Sequence, residues 1–296
     1  MWILLTLTAV LAWSIVNIFD SQLVAHFEKN IFVVSWTQSA FSVPTLIVLS
    51  FFISLRTPWA LPLFAVGVVA YGADLLFWRL LKIADVSASN FVWAFLAIIM
   101  SIIGFTFFHE VWTLPQALGA LCILSGVSLF SLWQRASLSG TALLLVIGFA
   151  VILTPFYVVQ KWALTAGQPA TATFFWPILG RETAAIFLSP MIPSIRRKIF
   201  ERLPLQPLAY FLLNWASIVL FLFGVYCSTR AYQIGSISLV SVLINIQPFV
   251  VIALAWVAMQ IAPAFAPREI LTARSVQAKI VSFLLVFAGL ALLGAT

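Results

Sequence analysis

The sequence predicts an all-α integral membrane protein: ten transmembrane helices arranged as two inverted five-helix repeats. Three observations carry that expectation. The chain is 64% hydrophobic and only 8% charged, with a mean hydropathy of +1.15, whereas a soluble domain is about half apolar and about a quarter charged. So much apolar surface needs lipid as its solvent. Apolar stretches long enough to span, about 20 residues each, follow one another with short breaks. The chain also resembles itself. With Arg79 set against Arg230, 151 positions on, Asp85-Val86-Ser87 faces Ser236-Ile237-Ser238, and each copy goes on to end in a Gly-containing apolar run, Leu124-Ser125-Gly126-Val127 and Phe287-Ala288-Gly289-Leu290. Duplicated halves are how many transporters are built, with the solute site between them.

The expected spans are 2–25, 31–55, 60–83, 86–108, 114–134, 139–163, 169–193, 206–233, 237–262 and 275–295. Most breaks are a few polar residues, such as Glu28-Lys29-Asn30, Arg56-Thr57-Pro58 and His109-Glu110. Two are longer, 194–205 and 263–274, and both are basic and contain Pro. The midpoint falls near Arg135, dividing one membrane domain into repeats 1–135 and 136–296. Five spans per repeat, an odd number, force the second copy to be inverted.

The net charge of +7 fits cytoplasmic positive residues and anionic headgroups; nucleic acid is not an expected partner. Cys122 and Cys227 sit inside apolar segments and read as packing groups. Met1-Trp2-Ile3 lacks a basic n-region, so the first segment reads as a retained helix. No Gly-x-x-x-x-Gly-Lys loop occurs, His109-Glu110 is followed by no second His, and His26 and His109 are the only histidines. ATP-driven pumping, zinc-protease chemistry and His-assisted nucleophilic catalysis therefore lack their residues. No cofactor and no metal site are expected, and the chain reads as a non-enzyme.

Intramembrane polar groups are costly and by default mark a pathway. In the third span Tyr71, Asp74, Trp78, Lys82 and Asp85 fall on one helical face, with Asp74 near mid-membrane. Arg79 and Lys82 read as snorkelling end groups. In the first span Trp13, Asn17 and Asp20 share a face, with Asp20 near enough to the end to be solvated. Thr154, Tyr157 and Lys161 form a similar stripe in the sixth, Lys161 reading as an interfacial anchor. The seventh carries Trp176 and the adjacent Arg181-Glu182. The ninth carries Ser241, Asn245 and Pro248, the proline a candidate hinge. Trp13, Trp78, Trp93 and Trp176 lie deeper than an interfacial belt. The candidate substrate-binding set is thus Trp13, Asn17, Tyr71, Asp74, Trp78, Trp93, Tyr157, Trp176, Arg181 and Asn245, with Asp74 and Glu182 as proton-coupling candidates. Asp74 and Arg181 are expected to face the cavity close enough to interact; Glu182 is an equally near partner for Arg181, and a substrate carboxylate is the rival. Gly119, Gly126, Ser282 and Gly289, at seven-residue spacing, predict close contact between the fifth and tenth spans.

The stretch Leu75–Leu132 carries a family resemblance. An aromatic run, Phe77-Trp78-Arg79-Leu80-Leu81, ends the third span. A small-residue start, Ala84-Asp85-Val86-Ser87-Ala88-Ser89, opens the fourth; Glu110 follows it, and Leu114-Pro115-Gln116-Ala117-Leu118-Gly119-Ala120 opens the fifth. Trp13-Ser14-Ile15-Val16-Asn17 adds an N-terminal match. This pattern resembles the EamA-type branch of the drug/metabolite transporter superfamily, with departures at Ser14, Ala97 and Ile261. The resemblance implies a central cavity among the first four spans of each half, alternating access and cytoplasmic termini.

The expected activity is secondary transport, as an exporter of a small amphipathic metabolite such as an amino acid. Proton-coupled extrusion of organic cations is the alternative, and a lipid flippase is a third. Small-molecule substrate and membrane lipid are the expected partners, a monomer the expected state, and the cell (inner or plasma) membrane the location. Charge and resemblance disagree about orientation. The odd-numbered connections hold Lys29, Arg135, Arg196, Arg197, Lys198, Arg202, Arg268 and Arg274, and the even-numbered ones only Arg56. Retained positive charge then puts both termini outside.

Overall fold

The structure, a computed structural model, describes residues 1–83, 86–133, 140–261 and 273–294. Asp85, Arg135 and Arg268, and the side chains of Trp78, Lys82 and Arg274, all weighed above, lie outside what the structure describes. Among the described residues there is no strand. Helices occupy every stretch that the hydropathy marks: α1 (Trp2–Gln22), α2 (Ile31–Ser50), α3 (Ala60–Ile83), α4 (Val86–Phe107), α5 (Leu114–Trp133), α6 (Gly140–Thr165), α7 (Ala170–Leu188), α8 (Pro193–Arg202), α9 (Leu208–Ile234), α10 (Ile237–Ile244), α11 (Gln247–Ile261) and α12 (Ala273–Gly294). Six of the resulting stretches are long and apolar enough to cross a membrane, which makes this a multi-pass integral membrane protein. Its exposed surface agrees: Leu4, Phe51, Phe52, Leu61 and Leu144 are all more than two-thirds exposed, as lipid-facing side chains should be.

Three elements differ from the sequence expectation. The first helix runs on as a π-helical turn, Leu23–Phe27. The connection expected over 194–205 contains α8, which starts on Pro193, a residue suited to a helix's first turn. The expected span 237–262 is broken in two. Asn245 and Ile246 make tight turns, their N–H groups donating to Val242 O at 3.1 Å and Leu243 O at 3.2 Å. Pro248 follows, and without an N–H it cannot bond back into α10. The helix therefore restarts at Gln247.

Helix ends are capped locally. Asn30 accepts from Phe32 N at 3.1 Å and Ser236 from Leu239 N at 3.0 Å. The α10 N-terminus has a further cap from far along the chain. Glu110 accepts from Ile237 N and, at 3.2 Å, from Ser238 N, and Ser238 Oγ also donates to it. A carboxylate there meets the positive end of a helix dipole. Glu110→Ala should cost about 0.5–2 kcal/mol, read as a lowered melting temperature of the detergent-purified protein.

The packing pairs α1 with α9 and α3 with α6, α4 with α6 and α1 with α11, α2 with α7, and α5 with α12. Small residues set the α5–α12 contact. A Cβ on Gly119 would lie 2.9 Å from Gly289 O, and one on Gly126 equally near Ser282 O. These are the small residues whose spacing predicts the contact.

Contacts between connections define two ends of the bundle. At one end Arg202 Nη1 and Gln206 Nε2 each donate to Glu28 at 3.3 Å, tying the α1–α2 turn to α8. At the other, Thr57 Oγ1 donates to Gln168 at 2.8 Å, Trp112 Nε1 donates to Ser238 Oγ at 3.0 Å, and Glu110 holds α10 as above.

Candidate functional site

A cavity of about 250 Å³ lies within the bundle. Helices α1–α4, α6, α7 and α9–α11 line it; α5 and α12, among the described residues, contribute none of its wall. Among the described residues its charged lining consists of three carboxyl groups, Asp20, Asp74 and Glu182, and one guanidinium, Arg181.

The central cluster is held by the tightest helix crossing. A Cβ added to Gly67 or Gly180 would strike the backbone of the opposing helix, at Pro177 O and Phe64 O respectively. Only glycine at both positions lets α3 and α7 approach so closely. Arg181 follows Gly180, and Asp74 stands two turns beyond Gly67. Across this crossing Arg181 Nε donates to Asp74 Oδ2 at 2.7 Å, so the two charges expected to meet do meet. Their side chains are 27% and 22% exposed, which places the pair in the cavity wall, not in dry packing. Arg181 also lies 3.6 Å from Glu182 Oε1, and its guanidinium sits over the Phe221 ring, 5.2 Å from the centroid. Glu182 is buried and accepts from Ser39 Oγ at 2.5 Å.

The second carboxyl station is Asp20. It is not simply solvated near a helix end, as its position suggests. Its Oδ1 accepts from Gln38 Nε2 at 2.7 Å and from Ser217 Oγ at 2.9 Å. Gln38 and Ser39, neighbours on α2, thus hold one carboxyl from α1 and one from α7. Four residues that matter here were not among the sequence candidates: Gln38, Ser39, Ser217 and Phe221. None is unusual in a membrane helix, and only the facing helices reveal their partners.

The α1 stripe is as spaced: Trp13, Asn17 and Asp20 line the cavity together. The Trp13 ring lies against Gly224, and its N–H finds no partner among the described residues. On α3 the cavity face is turned by one residue from expectation. Ala70, Asp74 and Phe77 line it, whereas Tyr71 is buried against Ala184 and Ala185 with its hydroxyl 2.5 Å from Ser189 Oγ. The close α3–α7 contact claims the Tyr71 face. Trp93 and Tyr157 line the cavity, and the Trp93, Phe77 and Phe149 rings pack together with centroids 5.3–6.4 Å apart.

Three further candidates sit elsewhere. Trp176 Nε1 donates to Leu55 O at 3.0 Å, tying α7 to the α2–α3 connection, and does not line the cavity. Asn245 is buried at the α10–α11 break. Its Nδ2 donates to Ser241 O at 2.9 Å, and it borders only a small adjoining void of about 10 Å³. Lys161 is no interfacial anchor: it is buried, and its Nζ donates to Tyr232 O at 2.8 Å and Gly235 O at 2.7 Å. A cation on the last carbonyls of α9 meets the negative end of that helix.

Residues 1–132 match the EamA-like transporter family, part of the drug/metabolite transporter superfamily. The match covers a little under half of the chain, which is similar there to EamA-like transporters. Members of the EamA-like family are transporters. A solved structure described only as "Crystal structure of protein" superposes with a TM-score of 0.70 at 17% identity, covering 98% of this chain and 95% of its own. At that identity the likeness is one of fold. No curated protein matches the chain. Within the matched residues 1–132 lie Trp13, Asn17, Asp20, Gln38, Ser39, Asp74 and Trp93; Tyr157, Arg181, Glu182 and Ser217 come from the remainder. The cavity is therefore built jointly by the matched half and the rest of the chain.

Proposed function

We propose that this chain is a secondary transporter that moves a small amphipathic organic cation through the central cavity in exchange for protons. The observation that carries the reading is the imbalance of the lining, three carboxyl groups against one guanidinium. Arg181 is already engaged by Asp74, Glu182 and the Phe221 ring, so a second positive group has carboxyl oxygens to meet and an anion has no free cation among the described lining residues. The aromatic wall, with Trp13, Phe77, Trp93, Phe149 and Tyr157 among its members, suits a cation with an apolar body. Glu182 and Asp20 are the groups that trade proton for cation; Asp74, bonded to Arg181, holds the crossing. A zwitterionic metabolite such as an amino acid is the second reading, and what favours it is that Arg181 reaches the cavity wall at all.

The architecture we assign to this function is ten spans in two inverted repeats, 1–135 and 136–296. Its support is that several principal helix contacts recur when the halves are exchanged, although the close α3–α7 crossing has only a looser counterpart in α2 on α9. Exchange turns α1 on α9 into α6 on α3, and α4 on α6 into α11 on α1; α2 on α7 and α5 on α12 map onto themselves. Alternating access follows if the two repeats swap conformations, with Pro248 at the α10–α11 break as a hinge.

Proteoliposomes test the coupling. Acid-loaded vesicles should accumulate labelled tetraphenylphosphonium several-fold over vesicles without a pH gradient, and Glu182→Gln should remove the gradient's effect. Uptake of a neutral amino acid, indifferent to pH and to Glu182→Gln, would favour the second reading.

A further inference from the structure

The α7–α9 connection is amphipathic in three directions. Along one edge of α8, Ile195 and Ile199 are buried against Phe32, Val33 and Trp36 of α2. Arg196, Arg197, Lys198 and Arg202 are exposed; Arg197 pairs with Glu201 at 2.6 Å, the one acid in the helix. Beside these cations stand large apolar side chains turned outward: Met191 at 73%, Phe200 at 66% and Leu205 at 79% exposure. Water suits the positive charge but not the exposed apolar side chains, and an acyl-chain interior suits the apolar side chains but not the charge. The boundary between acyl chains and anionic headgroups accommodates both.

Outside α8 the exposed connections carry, among the described residues, one cation at each end, so the charge polarity rests on α8. The α1–α2 turn, bonded to α8 through Glu28, carries the exposed Lys29, while the connection at the opposite end carries Arg56. We propose that α8 is a membrane-surface helix that binds the anionic headgroups of the cytoplasmic leaflet, so that the α1–α2 and α7–α9 connections are cytoplasmic. Positive charge is retained on that side during insertion, and anionic lipid then holds it there. The orientation is opposite to the one the family resemblance implies, and it stands independently of the substrate reading. It has a consequence for transport. Asp20 lies near the end of α1, Gln38 two turns into α2 and Ser217 within the first half of α9, so the Asp20 end of the cavity lies toward the α8 face. Asp20 is then the carboxyl group nearer the cytoplasmic face.

Two readouts on the full-length chain test this, in a background of Cys122→Ser and Cys227→Ser. Ser194→Cys at the exposed start of α8 should resist a membrane-impermeant maleimide in intact cells and react after permeabilisation, with Arg56→Cys showing the reverse. Labelling of Ser194→Cys in intact cells overturns the orientation. In mixed vesicles, spin-labelled phosphatidylglycerol should associate with the protein at least twofold over phosphatidylcholine. The preference should disappear in the Arg196→Gln, Arg197→Gln, Lys198→Gln triple variant and survive when Arg196 and Arg197 are replaced by Lys. Equal association of the two lipids with the unsubstituted α8, or a preference that survives the triple Gln variant, overturns the lipid site.

Discussion

Arg181→Gln should abolish transport and sharply lower the yield of folded protein, and Asp74→Asn should do so to a smaller degree. Removing one member of a partly buried ion pair leaves an uncompensated charge, at a cost approaching the roughly 3–5 kcal/mol of a fully buried pair, whereas removing both is often near neutral. The two losses are unequal because Arg181 has two carboxyl neighbours. Without Asp74 it still has Glu182 at 3.6 Å; without Arg181, both Asp74 and Glu182 lose their cation. The Asp74→Asn, Arg181→Gln double variant should recover folded protein toward the parent level, because the lone Glu182 keeps its Ser39 bond. Size-exclusion profiles and melting temperatures in detergent check the order. A double variant no better than Arg181→Gln contradicts the pairing as the reason for the loss.

Gly67→Ala and Gly180→Ala should each be strongly destabilising, although Gly→Ala inside a helix normally stabilises by about 1 kcal/mol. The sign reverses because the new methyl group meets backbone, at Pro177 O or Phe64 O, and no side-chain rotamer relieves that clash. The expected cost is at or above the roughly 1–3 kcal/mol of ordinary overpacking, and the displaced α3–α7 crossing should pull Asp74 from Arg181. Gly140→Ala, where nothing lies within 4 Å of the added methyl, is the control and should leave melting temperature and transport unchanged.

Much of the fold is written in hydropathy. Helix bounds such as Ala60–Ile83 and Leu114–Trp133 fall where the apolar runs begin and end, because only helices satisfy the backbone in lipid. The small-residue spacing of Gly119, Gly126, Ser282 and Gly289 likewise foretells a contact. Local breaks were legible only in part. Pro248 announces an interruption, but the restart at Gln247 depends on how Asn245 and Ile246 turn. α8 escaped notice because a ten-residue basic helix has no spanning signature.

The site was legible as charge and not as rotation. A carboxylate at Asp74 and a cation at Arg181 had to find partners, since unpaired charge at that depth is costly. Which face of α3 meets the cavity was undetermined: Tyr71 and Ala70 differ by one residue, about 100°, and the Gly67–Gly180 crossing decides between them. Asp20 shows the converse limit. Its place near the end of α1 suggested water, and only the facing Gln38 and Ser217 reveal a held carboxyl. Trp176 and Asn245, polar groups in deep positions, turned out to bond to backbone, which a sequence cannot separate from substrate contact.

The central claim is that the carboxyl-lined, aromatic-walled cavity carries an organic cation, and counterflow in proteoliposomes tests it most directly. Vesicles preloaded with unlabelled tetraphenylphosphonium should transiently concentrate the labelled compound, and vesicles preloaded with an anion of similar size, such as tetraphenylborate, should not. Replacing Trp93 by Ala, which opens the aromatic wall without touching a charge, should weaken that counterflow severalfold. Counterflow of the anion, or of a zwitterion alone with the cation excluded, would contradict the account.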